Sequence, residues 1–263
     1  MLEMRFALGR PEQWPALIDE LLRARVDVLV VGSTIGARAA LRATSSVPIV
    51  FAGASDPVAG GIVTDLARPE RNATGFSLGV GDQFAGKWLE LLTEIAPGIA
   101  HAAVLWSPSN AAATRFVDRL NEAARALHVD LATHQAADAR ELDAALARIA
   151  SSAAQGLVVT PSPFAQSQRD TLVGFARTRR LPACYFAEEF VDAGGLMSYG
   201  PSFEDSYRRA AGYAARILEG AKPRDLPVQQ PTRFDLVLNL ATARALGLKP
   251  PQALLLRAER VVE

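Results

Sequence analysis

The chain has 263 residues, enough for one large domain or two lobes of ordinary size. Apolar residues make up 49% and charged residues 21%, which is close to the average of globular proteins and excludes a disordered chain. The 28 basic residues balance the 28 acidic ones, so no charge excess indicates a nucleic acid or a membrane surface as partner. Cys184 is the single cysteine, which excludes an internal disulfide and a cysteine-built metal site.

The sequence contains no apolar stretch that approaches the roughly 18 to 20 residues of a membrane span. Its first ten residues also lack the continuous apolar segment of a secretory signal. We therefore predict neither a membrane-spanning helix nor a signal peptide within the sequence as it stands.

Short β-branched runs alternate with longer amphipathic segments along almost the whole chain. A nearly continuous apolar run is typical of a strand that is covered on both faces, as in a parallel sheet. The pattern predicts helices over 34–44, 82–95, 110–127, 138–151, 166–179 and 202–219, the last one stopped by Gly220. It predicts about nine strands, among them 26–31, 47–51, 72–77, 102–106, 129–133, 156–160, 182–186 and 195–199.

This alternation predicts an α/β fold with mostly parallel, doubly wound sheets. About nine strands are many for one open sheet, so we expect two Rossmann-like lobes. The first lobe is expected to take residues 1–79 and 200–232, and the second residues 80–199. The pattern leaves open which lobe takes the C-terminal crossover segment, residues 233–263.

Gly32 and Gly36 flank a turn that follows one predicted strand and opens a predicted helix. A dinucleotide-binding fingerprint would lie here, but it requires a glycine at the position of Thr34. Asp56 follows the next strand, where a ribose-binding acid would lie. A Rossmann-type nucleotide-dependent enzyme is therefore an alternative interpretation.

The three histidines, His101, His128 and His134, lie at strand edges without a second ligand at metal-binding spacing. The sequence also lacks a nucleophile elbow and any other paired nucleophile and base. We therefore predict that the protein is not an enzyme and has no catalytic residues, no metal site and no cofactor.

Four of the predicted strands end in polar loops, at the edge where open α/β sheets bind ligands. These loops are residues 33–34, 55–57, 107–110 and 160–164. Two come from each expected lobe, so facing edges would form a polar cleft with Phe164 and Phe186 as apolar walls. Glu188 and Glu189 follow a further strand, and at most one of two neighbouring residues can face such a cleft. The set predicts a binding site for a small molecule.

Several ordered segments carry a family pattern, of which residues 189–201 (EFVDAGGLMSYGP) are the most specific. The others are residues 47–52 with 56–57, 66–69 with 72–75, 87–92, 104–108, 220–227, 231–240 and 245–248. Through these segments, nearly the whole chain resembles the substrate-binding proteins of ABC importers, in the group that includes tryptophan- and tyrosine-binding members.

The resemblance implies a fold like that of type I periplasmic binding proteins, with a solute held in a cleft between two lobes that close over it. It implies a periplasmic monomer that delivers a small solute, such as an amino acid, to a membrane permease with its ATPase. Carried onto this sequence, the resemblance and the polar loops identify the residues expected to contact the solute: Ser33, Thr34, Ser55, Asp56, Asn110, Ser162, Phe164 and Glu189.

Family members begin with a signal peptide, a strand and a helix before the segment matched here by residues 4–10. The resemblance therefore implies that the first lobe is truncated at its N-terminus and lacks its central strand. In that case we expect Val28, Val30, Ile49 and Phe51 to expose more apolar surface than the core of a lobe should.

A ligand-sensing domain of a transcription regulator shares the two-lobed architecture and is the third interpretation. It would require a DNA-binding helix-turn-helix, for which residues 1–13 are too few. We therefore expect solute import rather than regulation or nucleotide chemistry.

Overall fold

The computed structural model describes residues 1–79, 85–108, 111–231 and 233–263. The chain forms two compact units. Unit 1 comprises Met1–Val80 and Phe203–Thr232, and unit 2 comprises Gly81–Ser202 and Arg233–Glu263. The C-terminal segment, which the sequence pattern assigned to neither lobe, is thus part of unit 2.

Unit 1 is built on a short parallel sheet with two helices from the start of the chain and one from its second half. The elements are α1 (Trp14–Arg23), β1 (Leu29–Val31), α2 (Thr34–Ala43), β2 (Ile49–Ala54), β3 (Ala73–Ser77) and α9 (Phe203–Leu218). The three strands lie in the order β1-β2-β3, and both pairs are parallel. Their carboxyl ends therefore lie at one edge of the sheet, as the sequence predicts.

The central strand β2 divides its side chains between two cores, because successive strand residues point to opposite faces. Ile49 and Phe51 pack in a cluster with residues of α1 and α2. Val50 and Ala52 pack on the other face against α9, where they meet Tyr213. All six residues of β2 are therefore buried.

The expected exposure of apolar residues in unit 1 is only partly found. Val30 is 45% exposed, as predicted, and Val28 is half-buried. Ile49 and Phe51 are both 0% exposed, so the prediction is wrong for them, because helices cover both faces of β2. Among the described residues, β1 pairs with β2 alone. That the sheet of the first lobe lacks its central strand, as the family resemblance implies, stays a prediction.

Unit 2 contains a larger sheet. Its strands are β4 (His101–Trp106), β5 (Asp130–Gln135), β6 (Gly156–Val159), β7 (Ala183–Tyr185), β8 (Met197–Gly200), β9 (Asp235–Asn239) and β10 (Arg260–Val262). Its helices are α3 (Ala85–Ile95), α4 (Ala111–Ala126), α5 (Ala139–Ser151), α6 (Pro163–Ser167), α7 (Arg169–Arg179), α8 (Glu189–Asp192), α10 (Leu240–Leu246) and α11 (Gln252–Arg257).

The seven strands lie in the order β10-β9-β8-β7-β6-β4-β5. All neighbours are parallel except β8 and β9, which are antiparallel, so the C-terminal segment enters the sheet against the direction of the others. Cys184 lies buried in β7. In the described parts of the chain, no helix is long and apolar enough to cross a membrane.

The amphipathic helix predicted over 82–95 is confirmed where the structure describes it. Trp88, Leu91, Leu92 and Ile95 are at most 2% exposed, which fits one stripe of an amphipathic helix. The indole Nε1 of Trp88 donates a hydrogen bond to the backbone oxygen of Tyr199 at 2.5 Å, which ties α3 to the end of β8.

The single helix predicted over 166–179 is wrong, because the segment contains two helices, α6 and α7, that meet at Gln168. Ser162 and Pro163 begin α6 earlier than predicted, since the Ser162 side chain caps the helix and proline is tolerated in its first turn. The helix that ends near Gly220 is confirmed, and Gly220 adopts a φ of 105°.

Candidate functional site

The polar residues predicted at the carboxyl edge of unit 1 come together around the start of α2. The Ser33 hydroxyl accepts a hydrogen bond from the Gly36 N–H at 3.1 Å and so caps the helix. The Thr34 hydroxyl accepts one from the Ser55 N–H at 3.1 Å, which joins the loop after β1 to the loop after β2. Ser33 and Thr34 are both buried.

Asp56 shapes the loop after β2. Its Oδ1 accepts hydrogen bonds from the N–H groups of Val58 and Ala59, at 3.1 and 2.9 Å. Such a bond pattern is an Asx turn, which fixes the local backbone with a side-chain oxygen. Asp56 therefore has a structural role in addition to any contact with a solute.

Tyr207 is an aromatic residue at this edge that no sequence pattern predicts. A Cβ at Gly32 would lie 2.0 Å from the Tyr207 hydroxyl, so the tyrosine of α9 reaches the backbone at the end of β1. Its side chain is nevertheless 48% exposed. No sequence signal connects the two, because α9 comes from a distant part of the chain and only folding brings it to β1.

The predicted loops of unit 2 also meet, at the carboxyl ends of β4 and β6. Ser107, Thr160, Ser162 and Phe164 line one narrow cavity of about 10 Å³, enough for about one water molecule. The Ser162 hydroxyl caps α6 by accepting from the Ala165 N–H at 2.9 Å. Three of these residues are buried, and Phe164 is partly buried.

Glu189 lies in a different cavity, formed by α7 and α8. This cavity has a volume of about 400 Å³, within the range of small-molecule sites. The residues that line it are Arg169, Asp170, Val173, Gly174, Arg177, Glu189, Asp192 and Ala193. The sequence pattern identifies Glu189 but not its neighbours in the cavity, because contacts between two helices leave no local pattern.

The carboxyl group of Glu189 is electrostatically unusual. Burial raises its pKa above the ordinary glutamate value, and the negative charges of Glu188 and Asp192 act in the same direction. A backbone hydrogen bond to the carboxylate and, to a lesser extent, the positive charge of Arg169 oppose this shift. Its Oε2 is buried and has no hydrogen-bond partner among the described residues. A carboxyl group with a shifted pKa beside a cavity is a physical sign of a binding site.

The other residues that the sequence pattern raised are Asn110 and the histidines. Asn110 lies outside the described residues. His101 contacts Asp130 at 3.3 Å, but both begin their strands and so lie at the amino edge of the sheet. Burial, and secondly the positive charge of Arg148, lower the pKa of His134. Within the described ranges, no group of three histidine, cysteine or acidic side chains could hold a metal.

The geometry is therefore that of two α/β units, each with polar loops at the carboxyl edge of its sheet. A family model described as ABC transporter substrate binding protein matches residues 2–262. The chain belongs to this family. Family membership confirms the resemblance seen in the sequence and the substrate-binding interpretation.

Individual relatives are similar to the chain in sequence or in fold. A tyrosine-binding protein from Clostridioides difficile (strain R20291) is 24% identical over 235 residues, which is 89% of this chain and 67% of the relative. A conserved domain protein from Vibrio cholerae is 29% identical, with a TM-score of 0.87 over 98% of this chain and 86% of the other. An ABC domain from Streptococcus pneumoniae, solved with L-Trp, is 24% identical, with a TM-score of 0.86 over 97% of this chain and 87% of the other.

These similarities establish the architecture. The structures from Vibrio and Streptococcus have the fold that the sequence predicts, a substrate-binding protein fold like that of type I periplasmic binding proteins.

Proposed function

We propose that this member of the family captures a small solute outside the cytoplasm and delivers it, as a monomer, to the permease and ATPase of an ABC importer. The observation that carries the proposal is the family match over residues 2–262. It favours solute import over a nucleotide-dependent enzyme and over a domain of a transcription regulator. The solute class that we propose is the α-amino acids, because one curated relative is a tyrosine-binding protein.

The proposed contacts come from the carboxyl-edge loops of both units and from the α7–α8 cavity. Ligands of open α/β sheets bind at that edge, where backbone N–H groups and short polar side chains are available. The residues proposed to contact the solute are Ser33, Thr34, Ser55, Asp56, Asn110, Ser162, Phe164 and Glu189.

Thermal unfolding in the presence of each of the twenty common L-amino acids tests this function. A ligand at about one hundred times its Kd stabilises the folded state by about 2.7 kcal/mol, which raises the melting temperature by several degrees. We expect at least one amino acid to raise it, and calorimetry then gives the affinity. If none raises it, the proposed solute class is wrong.

We further propose that the protein transforms no substrate and binds no nicotinamide cofactor. Thr34 replaces the glycine that lets a pyrophosphate approach the backbone, and its hydroxyl is already bonded to Ser55. Calorimetric titration with NAD and NADP should give no heat of binding. Binding at micromolar concentration would instead favour the enzyme alternative.

A further inference from the structure

Two aromatic residues, Phe203 and Tyr207, lie at the start of α9. They are four residues apart, so their side chains project from the same face of the helix, about one turn from each other. Phe203 is partly buried, and Tyr207 is 48% exposed. The first two turns of α9 therefore present an aromatic face that unit 1 covers only in part.

This aromatic face lies against the carboxyl ends of β1 and β2. The Tyr207 hydroxyl occupies the space that a side chain would need at Gly32, directly after β1. A Cβ at Gly53, near the end of β2, would lie 3.7 Å from the Phe203 ring and 3.6 Å from the Leu78 side chain. Two glycines thus leave room for the rings at the edge where open α/β sheets bind ligands.

Tyr207 lies outside the core that α9 forms with the sheet. That core takes Ala210, Tyr213 and Ile217 from the helix. The Tyr207 hydroxyl makes no hydrogen bond within the part of the chain that the structure describes. Burial raises the pKa of this hydroxyl, which fits its position against the backbone at Gly32. Folding of unit 1 therefore leaves much of the Tyr207 surface uncovered.

The polar groups proposed to contact the solute lie next to this aromatic face. Gly32 is followed directly by Ser33 and Thr34, and the Thr34 hydroxyl accepts from the N–H of Ser55. These candidates of unit 1 are all polar, as is Asp56. Small-molecule sites combine a few polar groups with apolar and aromatic walls. The loops of unit 1 supply the polar groups, and α9 supplies an aromatic wall.

We propose that the ring of Tyr207 contacts the solute and packs against its apolar side chain, with Phe203 continuing the same surface. This inference rests on the proposed function, since it adds a specificity-determining residue to that site. A flat aromatic ring buries a large apolar area with little loss of side-chain freedom. The protein should therefore prefer an amino acid with an apolar side chain over one whose side chain is charged or small.

Two substitutions at Tyr207 separate the ring from the hydroxyl. Tyr207→Phe keeps the ring, whereas Tyr207→Ala removes the apolar surface. Leu218→Ala is the control, because Leu218 is an apolar residue of α9 that is 62% exposed but lies at the opposite end of the helix. Calorimetry measures the affinity of each variant for the amino acid that most stabilises the parent protein. Thermal unfolding without ligand measures the stability of each variant.

We expect Tyr207→Ala to weaken binding about 10- to 100-fold, as the removal of an aromatic anchor does in other complexes. Tyr207→Phe and Leu218→Ala should bind within about threefold of the parent. Because the Tyr207 ring lies outside the core, the melting temperature of each ligand-free variant should stay within about 3 °C of the parent. Loss of affinity without loss of stability is a result that a merely structural role would not produce.

The outcomes separate this inference from the proposed function. If Tyr207→Ala binds as tightly as Leu218→Ala, or if Tyr207→Phe loses as much affinity as Tyr207→Ala, the ring does not contact the solute and the function stands. The same conclusion follows if Tyr207→Ala loses stability together with affinity, or if the amino acid bound most tightly has a charged side chain or one no larger than a methyl group. If the parent binds none of the twenty amino acids, the proposed solute class is wrong, and this inference with it.

Discussion

The hydroxyl of Thr34 accepts a hydrogen bond from the backbone N–H of Ser55 at 3.1 Å, across 21 residues of sequence. The bond joins the loops at the carboxyl ends of β1 and β2, two adjacent parallel strands. Because Thr34 is only 7% exposed, water replaces this bond poorly when it is lost. A hydrogen bond between their own polar groups therefore holds the two candidate loops of unit 1 together.

Replacing Thr34 by valine keeps the side-chain shape and removes this acceptor. We expect the free energy of unfolding to fall by about 1 to 3 kcal/mol, because the Ser55 N–H is left unpaired. Urea unfolding followed by circular dichroism measures the change. Thr64→Val is the control, since Thr64 is exposed and its hydroxyl bonds only to the exposed Glu70. Equal stability of the two variants would contradict the structural role of the bond.

Two substitutions at Asp56 distinguish the effect of losing its negative charge from the effect of losing its hydrogen bonds. Asp56→Asn keeps an Oδ1 that can accept from Val58 and Ala59, whereas Asp56→Ala removes it. We expect only the alanine variant to lower the free energy of unfolding, by about 1 kcal/mol. If the carboxylate also contacts the solute, calorimetry should show weaker binding in both variants. Full affinity in both would place Asp56 outside the binding site.

At Gly75 the backbone of β3 lies so close to that of β2 that there is no room for a side chain. Its φ is 150°, and an added Cβ would lie 2.0 Å from the backbone oxygen of Phe51. Gly75→Ala should therefore destabilise unit 1 by about 3 kcal/mol or more, which thermal unfolding would detect. Gly212→Ala is the matched control: Gly212 lies on the exposed face of α9 with open space around it, so alanine should stabilise by about 0.5 to 1 kcal/mol. Similar effects of the two substitutions would contradict this difference in packing.

The raised pKa of Glu189 predicts a stability difference that depends on pH. A carboxyl group whose pKa is higher in the folded protein destabilises that state once it ionises, from the unfolded value of about 4.3 upwards. Glu189→Gln removes this cost. We expect the variant to melt at a higher temperature than the parent at pH 8, with the difference shrinking towards zero near pH 4.

Glu188→Gln provides the control for this titration. It removes an ion pair with Arg260 whose side chains are 38% and 40% exposed, and such a pair contributes little to stability. The control should therefore gain less in melting temperature at pH 8 than Glu189→Gln does, because burial is the first cause of the raised pKa of Glu189 and the charge of Glu188 is a lesser one. An equal gain in both variants would indicate a general effect of net charge rather than the half-buried position of Glu189.

Local sequence patterns predicted the elements whose signals lie within the elements themselves. The amphipathic pattern over 82–95 identified α3, because its apolar residues recur at helical spacing within one short segment. The sequence did not predict the break between α6 and α7. The periodic pattern predicts a helix that begins at Gln166, whereas the cap at Ser162 begins a separate short helix before it. The short α8 was missed because four residues carry no period.

The sequence by itself determined the α/β class, the parallel strands and the polar residues at their carboxyl ends, because each depends on neighbours in the chain. The family model likewise matches the sequence alone, over residues 2–262. Only the tertiary structure decided that α9 buries Val50 and brings Tyr207 to Gly32, and that Glu189 and Arg177 share one cavity. Those relationships depend on how separate helices pack, and packing between distant segments leaves no periodic mark in the sequence of either.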